Sequence, residues 1–369
     1  MRVGILKEKK VGEKRVVLLP SGARALAERN HEVFVETQAG EASGFFDNMY
    51  EEVGAKIVAS AEEVIDSAEL IAKVKEPSLS EVARMQPGQA LFDFLHLAPE
   101  VELTRKILDS GIIAIGFETV QLADGSLPLL VPMSEVAGRL AIQIGAHYLQ
   151  ADQGGRGVLL GGVPGVPRGR VTVVGGGIVG TAAVRMAVGL GAEVSVLDID
   201  QRRLSHLYDI YHGGISTLYS NSVHLEETVP TADIVIGAVL LPGARAPMLV
   251  TREMVAAMAK GSVVIDVAVD QGGCVETIRP TSHDDPIFTV DGVIHYGVPN
   301  MPGAVPYTST FALTSAVLPY LLELCDRGVD EALRRNAALA RGVNCYRGEA
   351  TLAGVADAIG VPVAHAPWA

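Results

Sequence analysis

Short apolar runs alternate with amphipathic segments along the first 130 residues. The apolar runs predict strands at Arg2–Leu6, Arg15–Leu19, Glu32–Glu36, Lys56–Ala59, Leu70–Val74, Ala90–Leu95 and Ile112–Phe117. The amphipathic segments between them predict helices, among them Ser21–Arg29, Ala61–Ser67 and Pro99–Ser110. Strands separated by helices are typical of a largely parallel sheet with helices on both faces, so this part of the chain predicts a doubly wound α/β domain.

A second α/β pattern follows a long helix and a connection rich in glycine. The helix is predicted over Ser134–Gln150, with Ser134 as its N-terminal cap, and the connection runs from Gly154 to Gly169. Six strands are then predicted at Val171–Val174, Glu193–Leu197, Ile215–Tyr219, Ile234–Leu240, Val263–Val269 and Val293–Tyr296. Six strands is the number in a full Rossmann sheet for binding dinucleotides.

The remaining chain, after Tyr307, has helical patterns over Thr310–Cys325 and Asp330–Leu339. Because the second sheet is already complete, we expect this tail to return to the first domain. The predicted fold is therefore α/β, with two doubly wound Rossmann-like domains, a cleft between them and long helices linking them. The expected domains are residues 1–130 with 307–369, for the substrate, and residues 131–306, for the dinucleotide.

Composition and charge narrow the classes of function. The 369 residues are 49% hydrophobic and 20% charged, which suits packed cores, and the net charge is −13. Such an acidic chain is not expected to bind nucleic acid or an anionic membrane, since both need a cationic surface. Three scattered cysteines and a start without an apolar leader indicate a cytoplasmic protein. No grouping of histidine, cysteine or carboxylate residues predicts a metal site.

A glycine motif carries the most specific signal for a ligand. The strand ending at Val174 leads into Gly175–Gly180, which reads G-x-G-x-x-G, and then into a helix. The next strand ends in Asp198, where a carboxylate accepts hydrogen bonds from ribose hydroxyls. Its charge would repel a 2′-phosphate, so the sequence favours NAD over NADP, although the basic pair Arg202 and Arg203 could serve a phosphate instead.

Several other motifs, at matching spacings over nearly the whole chain, resemble the alanine dehydrogenase family, which includes the NAD-binding subunit of proton-translocating transhydrogenases. In the first half they are Arg15-Val16, Lys73–Pro77 (KVKEP), Phe94–Ala98 (FLHLA), Glu118–Val120 (ETV), Pro132–Arg139 (PMSEVAGR) and Gly154–Leu159 (GGRGVL). In the second half they are Ile236–Val239 (IGAV), Asp266–Gly273 (DVAVDQGG) and Pro299–Gly303 (PNMPG).

The resemblance implies roles for particular residues. His96 and Asp270 correspond to the catalytic residues, and Arg15, Lys75 and Asn300 to residues that bind the substrate. The positions corresponding to cofactor contacts are Ser134, Gly175, Gly177, Ile178, Val179, Gly180, Asp198, Arg203, Ser220, Val239, Leu240, Val267, Asp270, Asn300 and Met301.

Neighbouring residues of the same types are assigned other roles. Asp270 is expected to end the fifth cofactor-domain strand, while Asp266 begins it and serves as a structural acceptor. Lys73 is expected to be a solvent-exposed or supporting lysine. Asp93 departs from the pattern, because a small polar residue such as threonine is expected at this position.

The resemblance implies reversible oxidation of L-alanine by NAD to pyruvate and ammonia, in a homo-oligomer that is a hexamer in the family. Two alternatives remain open. One is the transhydrogenase NAD-binding subunit, and the other is a related opine-type or lysine-forming saccharopine-type dehydrogenase with a larger amino-acid substrate.

Overall fold

A computed structural model describes residues 1–239 and 246–368. Contacts divide the chain into two compact units, which we call unit 1 (Met1–Met133 with Val305–Ala369) and unit 2 (Ser134–Ala304). The strands, in chain order, are β1 Arg2–Ile5, β2 Glu32–Glu36, β3 Lys56–Val58, β4 Leu70–Lys75, β5 Ala90–Phe94, β6 Ile113–Gly116, β7 Arg170–Val174, β8 Glu193–Asp198, β9 Ser216–Tyr219, β10 Ile234–Gly237, β11 Val263–Asp266, β12 Ile287–Val290, β13 Val293–Tyr296, β14 Val343–Tyr346 and β15 Glu349–Ala350.

The α-helices lie between the strands and in the C-terminal tail. They are α1 Pro20–Ala27, α2 Asp47–Glu51, α3 Ala61–Ser67, α4 Leu79–Arg84, α5 Val101–Ser110, α6 Val131–Tyr148, α7 Ile178–Gly189, α8 Gln201–Ile210, α9 Ser222–Thr228, α10 Arg252–Ala256, α11 Pro306–Arg327, α12 Val329–Arg335, α13 Ala337–Arg341 and α14 Ala353–Ile359. Side-chain caps start several of them. In α4, for example, the Ser78 hydroxyl and the Glu81 carboxylate each accept a backbone N–H of the first turn.

Unit 1 contains a sheet in the order β15-β14-β6-β5-β4-β1-β2-β3, as far as the described residues show. Strands β1 to β6 pair in parallel, and their order, 3-2-1-4-5-6 when read from β3, is that of a Rossmann sheet. Strand β5 is buried on both faces, as expected where helices cover both sides of a parallel sheet. The C-terminal tail adds β14 to this sheet, antiparallel to β6.

Unit 2 contains a sheet in the order β12-β13-β11-β10-β7-β8-β9 within the described part of the chain. Without β12, which pairs antiparallel with β13, the order is again that of a Rossmann sheet. The chain reverses its direction of winding between β7 and β10, and doubly wound sheets bind ligands at the carboxyl ends of the strands at such a point. The predicted α/β class with Rossmann-like domains is confirmed.

Some predicted elements are wrong or have different bounds. The segment Arg15–Leu19 is not a strand, because its backbone bonds to side chains instead of a neighbouring strand. The Val16 and Leu19 N–H groups donate to the hydroxyls of Thr310 and Thr314 on α11. Helix α6 begins at Val131, so Ser134 lies inside its first turns and is not its cap.

Helix α11 is the one helix among the described residues that is long and apolar enough to cross a membrane by length and composition alone. Of its most apolar window, 44% is buried inside the protein. Its buried face carries the hydroxyl groups that bind residues 16–19, so α11 has a packing role in unit 1.

Candidate active site

The predicted substrate residues of unit 1 lie where its central strands end or shortly after. Lys75 is the last residue of β4, and His96 follows β5 by two residues. Strand β5 ends at Phe94, one residue before the predicted end at Leu95, so His96 lies in the segment beyond the strand. Arg15 lies in an irregular segment rather than at the start of a strand, and only 2% of it is exposed.

Arg15 is held by an acidic neighbour. Its Nε donates to Glu13 Oε1 at 2.7 Å, and a second guanidinium nitrogen pairs with Glu13 Oε2. Another donates to the sulfur of Met133 at 3.0 Å. The guanidinium plane is thus fixed in orientation before any ligand binds, which suits recognition of a planar carboxylate.

Lys75 is electrostatically coupled to Arg15. Burial lowers the pKa of the Lys75 ammonium, and the positive charge of Arg15 lowers it further. A buried arginine and a half-buried lysine that destabilise each other's charge are stabilised by an anion placed between them or beside both. This part of unit 1 is therefore suited to bind a negatively charged group.

His96 has a strained backbone that one carboxylate holds in place. Its φ is 47°, in the left-handed region that residues other than glycine rarely adopt. Glu118 lies in the short turn after β6 and accepts the His96 N–H at 2.7 Å and the Leu95 N–H at 3.2 Å. The imidazole Nδ1 is buried without a hydrogen-bond partner among the described residues, and the ring lies 5.9 Å from that of Phe94.

A cluster of buried charged groups surrounds the ends of these strands. Lys73, predicted to be exposed or supporting, is only 2% exposed and donates to Glu81 at 3.0 Å. The exposed alternative is therefore wrong. Burial alone would lower the pKa of Lys73, but Glu8 and Glu81 outweigh that effect and raise it. Glu8 itself accepts the Val74 N–H at 2.5 Å.

Unit 2 contains the glycine motif at the carboxyl end of β7. Gly175 has φ 104°, and a Cβ on it would lie 2.6 Å from the Ala238 carbonyl oxygen. A Cβ on Gly180 would lie 1.7 Å from the Gly175 carbonyl oxygen, so only glycine allows this close packing of helix on strand. A Cβ on Gly177 would meet nothing within 4 Å, so the space beside the N-terminus of α7 is open.

Asp198 connects the end of β8 to the glycine loop. Its Oδ2 accepts the Gly176 N–H at 2.6 Å, and its Oδ1 accepts the Asp200 N–H at 2.7 Å. Arg203 lies 3.4 Å from the same carboxylate, while the Ser220 N–H donates to the Asp198 carbonyl. Because Asp198 already neutralises Arg203, this arginine is less suited to serve a 2′-phosphate.

The fifth strand of unit 2 ends earlier than predicted. Strand β11 stops at Asp266, whose carboxylate accepts the N–H groups of Ala268, Cys274 and Val275 at 2.7–3.1 Å. These bonds turn the chain out of the sheet. Asp270 therefore does not end the strand; it lies exposed in a short 3₁₀ turn, Val269–Gln271, beyond it. Asp266 is a structural acceptor, as expected, but at the end of the strand and not at its beginning.

The other predicted cofactor contacts of unit 2 lie on several elements. Ile178 and Val179 form the first turn of α7, and Val267 directly follows β11. Asn300 has φ 57° and precedes a 3₁₀ turn that begins with the buried Met301. Ser134 lies on α6, Val239 follows β10 by two residues, and Leu240 lies outside the described residues.

Sequence reasoning missed the carboxylates that support the predicted residues of unit 1: Glu8, Glu13, Glu81 and Glu118. The motif that contains Glu118 does not predict the hydrogen bonds that this carboxylate accepts from the Leu95 and His96 N–H groups. Within the described ranges, no group of three or more histidine, cysteine or carboxylate side chains is placed to hold a metal ion.

Comparisons with known proteins agree over the whole chain. The family model for the alanine dehydrogenase/PNT N-terminal domain matches residues 4–137, and that for the C-terminal domain matches residues 141–353. The alanine dehydrogenase of Halomonas elongata is 53% identical over 366 residues, which cover 99% of this chain and 99% of that protein. The alanine dehydrogenase of Methanococcus maripaludis is 52% identical and covers 98% of this chain and 97% of its own.

Solved structures give the same result. An L-alanine dehydrogenase superposes with a TM-score of 0.94 at 52% identity and covers 98% of this chain and 99% of its own. A transhydrogenase from Sinorhizobium meliloti superposes with a TM-score of 0.82 over 96% of this chain and 99% of its own, but at 24% identity it shows the shared fold alone. With both domain models matched and relatives above 50% identity over nearly its full length, this chain belongs to the alanine dehydrogenase/PNT family.

Proposed function

We propose that this protein is an L-alanine dehydrogenase, which reversibly oxidises L-alanine with NAD and water to pyruvate and ammonia. The observation that carries the proposal is that Arg15, fixed by Glu13, lies close enough to Lys75 at the end of β4 for its charge to lower the pKa of that lysine. The close relatives that carry the name alanine dehydrogenase support the choice of substrate.

Arg15 and Lys75 bind the substrate in this proposal. The carboxylate of alanine or pyruvate is a planar anion, and an arginine fixed by Glu13 presents a planar donor to it without further ordering. The Lys75 ammonium then contacts the same carboxylate or the neighbouring carbonyl oxygen of pyruvate. Binding an anion here offsets the repulsion that lowers the pKa of Lys75.

The reaction also needs groups that move protons. The amine of alanine must lose a proton before oxidation, and water must then add to the imine carbon and be deprotonated. Histidine is the side chain best suited to exchange protons near neutrality, and we assign this role to His96, with Asp270 as a second group.

The residues of unit 2 fit a dinucleotide. The open space at Gly177 admits a pyrophosphate, and the first N–H groups of the twelve-residue helix α7 point to that space with the positive end of the helix dipole. The chemistry that bound NAD would supply here is acceptance of a hydride from Cα of alanine. Gly175, Gly177, Ile178, Val179 and Gly180 would hold its pyrophosphate.

The remaining cofactor contacts are proposals on the same basis. Asp198 would bind the ribose hydroxyls, and its charge favours NAD over NADP. The other residues that we assign to the cofactor are Arg203, Ser220, Val239, Leu240, Val267, Ser134, Asn300 and Met301.

NADH formation with a panel of amino acids tests the function. We expect activity with L-alanine above all others, and NADH oxidation by pyruvate only with ammonia present. Arg15→Lys should raise KM for alanine far more than it lowers kcat, because lysine keeps the charge and loses the bidentate geometry. Activity on lysine or glutamate without activity on alanine would favour the saccharopine-type alternative. Hydride exchange between nucleotides without deamination would favour the transhydrogenase alternative.

We also infer a cytoplasmic homo-oligomer, and a hexamer in particular, from the family resemblance. Sedimentation of the purified protein measures its mass, and fractionation of cells measures its location. A monomer in sedimentation would contradict the first inference, and recovery with membranes would contradict the second.

A further inference from the structure

Asp93 is the most isolated acidic side chain in the described part of unit 1. It lies in β5, is 0% exposed, and neither carboxylate oxygen has a hydrogen-bond partner among the described residues. An ionised carboxylate buried in this way is costly, whereas a neutral carboxylic acid is far less so. The isolation of Asp93 therefore indicates that it keeps its proton.

Among the described groups that act most strongly on Asp93, Lys73 is the one cation, and it is shared with other acids. The charged groups that act on Asp93 come from three neighbouring segments. Lys73 lies in β4 and Glu76 directly follows that strand, Glu118 lies in the turn after β6, and Glu8 lies in the segment after β1. Lys73 already donates to Glu81 and also faces Glu8. Lys9 and Lys10 pair with Glu81 and Glu76 at the edge of the cluster. Among the described residues no cation pairs with Asp93, so this carboxyl group is the one that retains its proton.

The directions of the pKa shifts agree with the geometry. Burial raises the pKa of Asp93 well above its ordinary value, with Glu118 and Glu8 adding to the effect of burial and Lys73 opposing it. Burial also raises the pKa of Glu8, to about 7. Glu81, in contrast, has a lowered pKa, because Lys73 and the Ser78 N–H outweigh the effect of its burial.

Glu118, which lies two residues after Gly116, the partner of Asp93 on the neighbouring strand β6, holds His96. Both of its oxygens accept backbone N–H groups, at 2.7 Å from His96 and 3.2 Å from Leu95, which an anionic carboxylate does best. These bonds help to keep His96 at its positive φ. A second negative charge at Asp93 would repel Glu118 in a medium of low dielectric.

We propose that Asp93 is a positioning residue that acts as a neutral carboxylic acid, so that Glu118 can stay anionic and hold His96 in its active geometry. The proposal rests on the proposed function, in which His96 moves protons. When Asp93 ionises at alkaline pH, repulsion of Glu118 loosens the two backbone bonds, and His96 leaves its position.

The variants Asp93→Asn and Asp93→Thr test this, with Glu81→Gln as a matched control in the same cluster. A group with a raised pKa in the folded state destabilises the fold increasingly as pH rises from its unfolded value. Asp93→Asn should therefore melt above wild type, and the difference should grow with pH. Glu81→Gln should melt below wild type, because the lowered pKa of Glu81 marks a stabilising charge. If Asp93→Asn fails to fold, Asp93→Thr, which removes the carboxyl group in another way, takes its place.

The pH profile of kcat tests the link to His96. Since well-placed acid–base catalysis is worth about 10²- to 10⁴-fold, ionised Asp93 should lower wild-type kcat by about tenfold or more on the alkaline side. Asp93→Asn should have near-normal kcat at neutral pH and lack this alkaline loss. Superimposable alkaline kcat profiles of wild type and Asp93→Asn would overturn the positioning role. A pH-independent loss of melting temperature in both Asp93→Asn and Asp93→Thr would show that Asp93 is ionised and paired, which would also overturn the proposal.

An NMR titration separates this test from the proposed function. The imidazole signal of His96, assigned with His96→Ala, should shift at alkaline pH in wild type and not in Asp93→Asn. This measurement and the melting curves need no turnover. Wild type without alanine-dependent NADH formation would refute the proposed function alone, whereas identical His96 titrations would refute the role of Asp93 alone.

Discussion

Alanine substitutions at Gly177 and Gly180, two glycines of the G-x-G-x-x-G motif, should have opposite effects: the first should weaken NADH binding and the second should weaken folding. A Cβ on Gly177 meets nothing within 4 Å, and the residue has φ −68°, which alanine adopts freely. A Cβ on Gly180 would lie 1.7 Å from the Gly175 carbonyl oxygen, so the backbone must move. Gly177→Ala should therefore fold normally and bind NADH poorly, and Gly180→Ala should fold poorly.

The size of each effect follows from these contacts. At the helix start, alanine in place of glycine costs about 0.5–1 kcal/mol, offset by about 0.4–1 kcal/mol from the stiffer unfolded chain. A methyl group in the pyrophosphate space displaces one charge-assisted hydrogen bond, worth about 1.5–3 kcal/mol, which is roughly a 10- to 100-fold rise in Kd for NADH. The clash at Gly180 costs about 1–3 kcal/mol or more, a fall in Tm of about 2–12 °C.

Thermal melting and a fluorescence titration with NADH measure the two effects on the same samples. Gly189→Ala, at the far end of α7, is the control, because its Cβ also meets nothing within 4 Å and it lies away from the glycine loop. It should leave NADH affinity unchanged and raise Tm slightly. Wild-type NADH affinity in Gly177→Ala would refute the assignment of this space to the pyrophosphate.

Three further predictions concern the site. Asp198→Ala should lower kcat/KM with NAD and shift the NAD-to-NADP ratio of kcat/KM toward NADP; an unchanged ratio would exclude Asp198 from ribose recognition. His96→Ala and Asp270→Ala should each lower kcat by about 10²-fold or more with NADH affinity intact, and the double variant should lose less than the product of the two losses; near-normal kcat in His96→Ala would remove it from the mechanism. Glu8→Gln should gain Tm over wild type as pH rises from 4.5 to about 7, because the folded-state pKa of Glu8 is raised over that window; a constant difference in Tm would contradict this.

The α/β class and most strands could be predicted because burial on both faces leaves continuous apolar runs. Arg15–Leu19 has the same composition, but its partners are hydroxyl groups on α11, nearly 300 residues later in the chain. Strands β12, β14 and β15 were missed for a related reason. They are two to four residues long, and pairing makes them strands more than their own pattern does: β12 pairs with β13, β14 with β6, and β15 with β14.

The roles predicted for the site residues came from motifs. A motif identifies the residues that contact a ligand, but not the residues that position those side chains. Glu8, Glu118 and Asp93 are ordinary acids in the sequence, separated by up to 110 positions. They converge because β1, β4, β5 and β6 are neighbours in the sheet, so that the segments after them meet at one edge. Strand order is thus the missing information, and it is a property of the whole unit.

Asp93 illustrates how a local departure gains meaning from this convergence. In the sequence it is one unexpected acid in an apolar strand, at a position where a small polar residue is expected. In the sheet it lies among Lys73, Glu8 and Glu118, where a second charge is opposed from several elements at once. The neutral acid that results is a physical consequence of burying a carboxyl group whose neighbouring cations are already paired with other carboxylates. Because one of those carboxylates fixes the backbone of His96, a change of charge at Asp93 has a direct route to the proposed chemistry.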